Sequence, residues 1–380
     1  MSVNQSPGTG VPFLDLAAAP VRALHPYLPG KPLAELEREY GIENAVKLAS
    51  NENPSGPSPR AVAAAAAVLQ DISRYPEGSG YLLTGKLAGK HAVTQDCITL
   101  GNGSNDVLDI IARVFLAPGT EAIYSRYAFA VYPIVVQATG AKACIAAAHD
   151  GSSGPAYGHD LEAMYALVGR ETRLIFIANP NNPTGTWLNS AELEAFIAGL
   201  PAHVMVVVDE AYFEYVEDAR YPDTSTWLER FPNLLVTRTF SKAYGLAGLR
   251  IGYALSHPDV ADLLNRVRQP FNVNSAAQAA ALAALDDVDH LNRSIRQNRE
   301  GMLQLKAGFG RLGLDWIESA GNFIAVDTGR SGDEVFEQLL NSGVIVRPVT
   351  NYDMPAHVRV TVGREEENAR FLDAMEKVLS

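Results

Sequence analysis

The chain is poor in the features that mark secreted, membrane-spanning or metal-binding proteins. Two cysteines, Cys97 and Cys144, stand alone among 380 residues. They form no C-x-x-C pair and suggest no disulfide framework, which fits a reducing compartment. The eight histidines are scattered without ligand spacing, so no metal site is expected. No apolar run approaches membrane-span length. The longest helical-looking one, Ala61–Leu69, is mostly alanine and reads as a packed helix. No Lys or Arg precedes Arg22, so the basic region of a signal peptide is missing, and a cytoplasmic location is the expectation. Lys and Arg number 31 against 43 Asp and Glu, a formal net charge of −12. That balance argues against nucleic acid as a partner. A small anionic substrate stays open, because a few local arginines can reverse the field inside a cleft.

What is present describes an ordinary globular protein, with 47% hydrophobic and 19% charged residues. Its length implies two domains. The first twenty residues, rich in Pro, Gly and Ala, read as a loose arm. From Asp96 onward strand-like and helix-like segments alternate. Short apolar runs at Leu174–Ala178, Val204–Val208, Leu234–Thr237 and Arg250–Leu255 lack clean alternation, as strands buried on both faces of a parallel sheet do. Between them lie helical patterns such as Ser190–Leu200, with Ser190 read as its start and Glu192 and Glu194 in its first turn. Near Asp286 the character changes to a long amphipathic helix, Val288–Leu312. Strands follow at Phe323–Val326, Val344–Val349 and Val358–Val362, and a last helix carries Phe371, Leu372, Met375, Val378 and Leu379 on one face. The expected architecture is α/β: a large, doubly wound, mostly parallel sheet domain over residues 56–285 and a smaller α+β domain over 286–380. Residues 1–55 supply an arm and part of the small domain.

Several loops carry candidate chemistry. Gly80-Tyr-Leu-Leu-Thr-Gly85-Lys86 nearly spells a phosphate-binding P-loop, and Val204–Val208 before Asp209 resembles its partner strand. Yet position 87 is Leu where Ser or Thr must hold Mg²⁺, and Arg74–Gly80 is turn-like where a strand is required; a P-loop ATPase is a remote alternative. Gly101-Asn-Gly103-Ser-Asn-Asp106 lacks the third glycine of a dinucleotide fingerprint. It suits a helix start at which the N–H groups of Ser104 and Asn105 bind a phosphate, and equally a plain helix cap. Asn179-Pro-Asn-Asn182-Pro-Thr-Gly185 follows a strand, at the end of a parallel sheet where ligands collect. Asp209 ends the next strand, with Tyr212 three residues on. A carboxylate there implies a cationic partner, or it caps a helix. The most specific segment is Thr239-Phe-Ser241-Lys242-Ala-Tyr-Gly245-Leu-Ala-Gly248-Leu-Arg250. It places a lysine among small residues after a buried strand, with an arginine that can fork onto a phosphate.

In this order Asn182-Pro-Thr-Gly, Asp209-x-x-Tyr212, Ser241-Lys242 and Arg250 resemble the fold-type I aminotransferases, which use pyridoxal 5′-phosphate (PLP). The spacing between Asp209 and Lys242 suits one helix and one strand. The fuller phrases Leu48-Ala-Ser-Asn51-Glu-Asn-Pro54, Arg74-Tyr75-Pro-Glu-Gly78, Asn181–Gly185, Arg238–Ala243 and Val358–Gly363 are most similar to the histidinol-phosphate aminotransferases, from about Leu24 to the C-terminus. The resemblance implies that Lys242 carries the cofactor and later moves a proton at the substrate carbon, and that Asp209 pairs with the ring nitrogen. It further implies that Asn182 and Tyr212 bond the ring's phenolic oxygen and that Phe129 stacks on its face, where relatives often have Tyr. The cofactor phosphate would be held by Ser104, Asn105, Ser241, Thr239 and Arg250. Arg359 would bind the substrate's anionic group with Arg347 as helper, although Arg347 before Pro348 also reads as a surface residue. Tyr27 and Asn51 would close the pocket. A homodimer is implied, in which Tyr75 reaches the other subunit's cofactor phosphate. The expected reaction passes an amino group from histidinol phosphate to 2-oxoglutarate, giving imidazole-acetol phosphate and glutamate in histidine biosynthesis. An aromatic amino acid aminotransferase and a threonine-phosphate decarboxylase share most of these motifs. A PLP-sensing transcription regulator would need a helix-turn-helix, for which Met1–Pro20 is too short.

Overall fold

The computed structural model describes residues 13–26, 38, 41, 42 and 44–380. A two-residue strand, β1 (Val46–Lys47), precedes a sheet of seven: β2 (Ile98–Gly101), β3 (Glu121–Ser125), β4 (Lys142–Ala146), β5 (Thr172–Ala178), β6 (Met205–Asp209), β7 (Leu234–Thr239) and β8 (Gly252–Leu255). Their order is β2-β8-β7-β6-β5-β3-β4. Only β8 runs against its neighbours; the other pairs are parallel.

Alternate residues of the central strands enter opposite cores, as the two-residue period of a strand requires. Ile175, Ile177, Val206, Val208 and Val236 face helices that include Tyr81–His91, Ser190–Gly199 and Ser275–Leu285. Phe176, Val207 and Leu235 face helices Ser104–Phe115, Val131–Thr139 and Pro258–Val267. Burial on both faces explains the unbroken apolar runs, and each such side chain contributes ~1.5–3 kcal/mol relative to exposure. The doubly wound architecture expected from the sequence is what the chain adopts.

The C-terminal part holds β9 (Trp316–Ile317), β10 (Phe323–Asp327), β11 (Val344–Ile345), β12 (Arg347–Pro348) and β13 (His357–Thr361). An antiparallel sheet runs β12-β13-β10-β9, while β11 pairs in parallel with β1. Val344–Val349 is therefore two strands rather than one. It changes partner at Val346, and it ends at Pro348, which has no N–H to donate. The long helix spans Val288–Leu312 as its periodicity requires.

Two local expectations need correction, and a remote alternative falls. The helix Ser190–Gly199 is capped by Asn189, not Ser190; the Asn189 side chain and Glu192 form a reciprocal capping box. Gly80 caps the helix Tyr81–His91, and Lys86 pairs with Asp286, so the P-loop-like stretch makes no phosphate loop. Between β6 and β7 stand two 3₁₀ turns, Phe213–Tyr215 and Thr224–Trp227, instead of a helix. Pro222 and the Asp223 cap interrupt that stretch.

Candidate active site

The C-terminal ends of β2, β5, β6 and β7 open on one cavity of about 380 Å³. Ser104, Asn105, Phe129, Asn182, Asp209, Tyr212, Thr239, Ser241, Lys242 and Arg250 line it from the large sheet's side. Asn51, Arg347 and Arg359 line it from the other. Two sequence candidates are not among them. Tyr27 lies outside the described residues. Tyr75 is 82% exposed and stacks on Phe271 at 4.8 Å between ring centres.

One end of the cavity is built for an anion. Gly103 precedes the helix Ser104–Phe115 and offers no side chain to cap it, so the first N–H groups remain available. Gly103 adopts φ +89°, and a Cβ there would lie 2.4 Å from Arg250 Nη2. The missing side chain thus lets the guanidinium close over the helix terminus. Gly252 serves the same approach from β8, since its Cβ would meet Ser104 N at 2.5 Å. Arg250 Nη1 donates to Ser241 Oγ at 3.4 Å, and the Ser241 N–H donates to Thr239 Oγ1 at 3.1 Å.

At the centre Asp209 is buried. Tyr132 donates its hydroxyl to Oδ2 at 3.0 Å and Thr237 donates to Oδ1 at 2.9 Å. Burial pushes this carboxyl up, with the two hydroxyls, the Ala211 N–H and the charge of Lys242 acting against it. The cation expected beside Asp209 is not a side chain bonded to it among the described residues; neutral hydroxyls meet its hydrogen-bonding needs instead. Lys242 Nζ donates to Ser50 O at 3.1 Å and lies 5.7 Å from the Tyr212 ring centre. Burial first, then the charge of Arg359, lowers this amine to about 7.

The far wall orients its amides. Arg359 Nη1 donates to Asn182 Oδ1, which leaves Asn182 Nδ2 as a donor. Arg359 Nη2 donates to Ala49 O at 2.8 Å, whereas its buried Nε has no hydrogen-bond partner among the described residues. Asn51 Nδ2 donates to Tyr212 Oη at 2.9 Å, so the tyrosine's own proton is free to be donated. Arg347 lies directly across from Arg359 in the β12–β13 register.

The model of the family described as aminotransferase class I and II matches residues 43–375. The chain belongs to that family. Histidinol-phosphate aminotransferase 1 of Nitrosococcus oceani is 60% identical to this aminotransferase over 369 residues, 97% of this chain and 98% of that one. Histidinol-phosphate aminotransferase 2 of Pseudomonas aeruginosa is 58% identical over 97% of this chain and 99% of its own. The crystal structure of histidinol-phosphate aminotransferase from Sinorhizobium meliloti in complex with pyridoxal-5′-phosphate matches with a TM-score of 0.85 at 28% identity, covering 96% and 97%. Aspartate aminotransferase from Thermus thermophilus with maleate matches at 0.82 and 23% identity, over 95% and 99%, a likeness of fold.

In and behind the aminotransferase's cavity stand residues that sequence reasoning missed. Ser50 accepts from Lys242, and Tyr132 and Thr237 hold Asp209. Glu52 lines the cavity while paired to Lys47 at 2.9 Å. Tyr132 had a faint signal, standing one helical turn after Phe129; Thr237 had none beyond its strand.

Proposed function

We propose that the chain transfers the amino group of histidinol phosphate to 2-oxoglutarate, giving imidazole-acetol phosphate and glutamate, a step of histidine biosynthesis. The observation that carries the reading is a buried lysine, lowered to about 7, sharing one cavity with a buried carboxylate that has no cationic hydrogen-bond partner among the described residues and with three arginines. The names of relatives at 58–60% identity supply the substrate.

The residues present fit PLP. An uncapped helix terminus beside Arg250 suits its phosphate. Asp209, short of a positive partner, suits its ring nitrogen. Bound there, the cofactor supplies an electrophilic carbonyl and an electron sink. Ser104, Asn105, Thr239, Ser241 and Arg250 would hold the phosphate. Asp209 would keep a proton on the ring nitrogen. Asn182 Nδ2 and the Tyr212 hydroxyl would donate to the phenolic oxygen, and Phe129 would cover one ring face. Lys242, partly neutral near pH 7, would attach the cofactor and move the proton at the substrate's Cα. Arg359, through its unpartnered Nε, and Arg347 would hold the anionic end of the substrate. Asn51 would keep Tyr212 oriented, with Tyr27 closing the pocket.

The same reading divides the chain into residues 1–55, 56–285 and 286–380 and makes it a cytoplasmic homodimer. The partner subunit's Tyr75 then completes each site, which accounts for an aromatic ring displayed outward on Phe271. Mixing a Tyr75→Ala variant with a Lys242→Ala variant should restore activity above either alone, because the heterodimer then holds one intact site. No recovery would place Tyr75 in its own chain.

The substrate is tested by single-turnover rates with histidinol phosphate, phenylalanine and threonine phosphate. Histidinol phosphate should react fastest. Faster turnover of phenylalanine would assign an aromatic aminotransferase, and release of carbon dioxide from threonine phosphate a decarboxylase.

A further inference from the structure

The helix terminus beside Arg250 is held from behind by side chains that do not line the cavity. Asp106, in the helix's first turn, accepts the Asn102 N–H at 2.8 Å and Asn272 Nδ2 at 2.8 Å. The Asn272 amide is fixed in orientation. Its Nδ2 also donates to Leu100 O at 3.2 Å, and its Oδ1 accepts from Arg268 Nη1 at 2.8 Å. Arg268 Nη2 in turn donates to Gly78 O at 3.0 Å, on the loop that carries Tyr75. Between Arg268 and Asn272, Phe271 stacks on Tyr75 with φ +59°. That conformation is uncommon for a bulky side chain and must be held by its surroundings.

We infer that Arg268, Asn272 and Asp106 are positioning residues, a relay that fixes the helix terminus for the cofactor phosphate and ties it to the Tyr75 loop. The inference rests on the reading above that Ser104 and Asn105 hold that phosphate. Its physical basis is competition. A carboxylate in a first helical turn is attracted to the same free N–H groups as a phosphate is. Asp106 is committed to the Asn102 N–H and to a neutral amide, so the N–H groups of Ser104 and Asn105 stay available for a ligand. Without the Asn272 amide, Asp106 is free to turn towards them and to repel a dianion.

The test compares PLP with pyridoxal, which lacks the phosphate, in titrations of the cofactor-free full-length enzyme. Asn272→Ala should raise the Kd for PLP roughly tenfold and change that for pyridoxal by less than about twofold. Arg268→Gln, a milder change at a partly buried position, should give a smaller loss with the same selectivity. Adding Asp106→Asn to Asn272→Ala removes the competing carboxylate and should recover most of the PLP affinity. Equal weakening of both ligands, or no weakening, would overturn the relay. Arg250→Ala is the reference: if it too fails to separate PLP from pyridoxal, the phosphate site itself is misassigned and the relay falls with it. Selectivity in Arg250→Ala without selectivity in Asn272→Ala rejects the relay alone.

Discussion

Asp209 and Glu210 are neighbours at the end of β6, and they end in opposite circumstances. An extended chain sends them to opposite faces of the sheet. Glu210 enters a closed arrangement: Arg238 donates Nε and Nη2 to its Oε2 at 2.9 and 2.7 Å, and Thr224 Oγ1 donates to its Oε1 at 2.6 Å. Arg238, 1% exposed, also reaches Asp223 at 2.7 Å and lies 3.5 Å from the Phe213 ring centre. Asp209 faces the cavity with two hydroxyls. Burial raises both carboxyls. Arg238 is the first influence opposing it at Glu210, whereas at Asp209 hydroxyls come first and the charge of Lys242 last. A buried charge whose partner is built into the chain serves the fold. One left short of a cation in a cavity is set to receive it from a ligand.

Two substitutions should separate these roles. On the proposed role of Asp209, Asp209→Ala should lower kcat by several orders of magnitude, because the proton on the ring nitrogen would no longer be held. It should lower the thermal midpoint of the cofactor-free protein less than Arg238→Met does, since removing a buried carboxylate short of a cation offsets the loss of the acceptor for the Tyr132 and Thr237 hydroxyls. Near-wild-type turnover would refute the assignment. Arg238→Met should do the converse. Stranding Glu210 costs ~3–5 kcal/mol, readable by urea unfolding of the cofactor-free protein, with turnover per folded molecule retained. Adding Glu210→Leu should recover most of the loss.

The contrast also shows what was legible in the sequence. The segment around Lys242 could be read because its residues are contiguous and close a strand, and β5 to β8 because burial on both faces leaves unbroken apolar runs. β4 escaped notice because it is an edge strand whose Lys142, Ala143 and Ile145 are exposed, which dilutes the pattern. Asp209 could be located, but not its partners. Tyr132 and Thr237 come from a helix and a neighbouring strand, and only the folded sheet brings them to it. The expected cation is not a side chain bonded to Asp209 among the described residues; hydroxyls from two other elements supply its hydrogen bonds and leave its charge without a bonded cation. Asn189 displaced Ser190 as the cap because both suit the position and Glu192 is three residues from Asn189.

The far wall offers a smaller effect. The unpartnered Nε of Arg359 implies a ligand oxygen, and a charge-assisted hydrogen bond is worth ~1.5–3 kcal/mol. Arg359→Ala should therefore lower kcat/KM for both histidinol phosphate and 2-oxoglutarate by at least about tenfold. If only one substrate suffers, Arg347 carries the other. If neither does, the anionic end binds elsewhere.

The last prediction concerns the amine facing Asp209, and its effect is bounded by one proton. In the folded, cofactor-free chain Lys242 is lowered from 10.5 to about 7. The unfolded chain therefore binds this proton more tightly than the folded one. Stability rises with pH wherever the unfolded state holds more protons, so between pH 7 and 10.5 Lys242 makes the cofactor-free protein more stable as pH increases. The slope cannot exceed about 1.4 kcal/mol per pH unit. Below pH 7 the contribution levels off, because both states are protonated. Urea unfolding across this window should show the rise in wild type and a flatter profile in Lys242→Met, whose side chain does not titrate. A wild-type slope in Lys242→Met would mean that the amine is not depressed and that its reactivity comes from elsewhere.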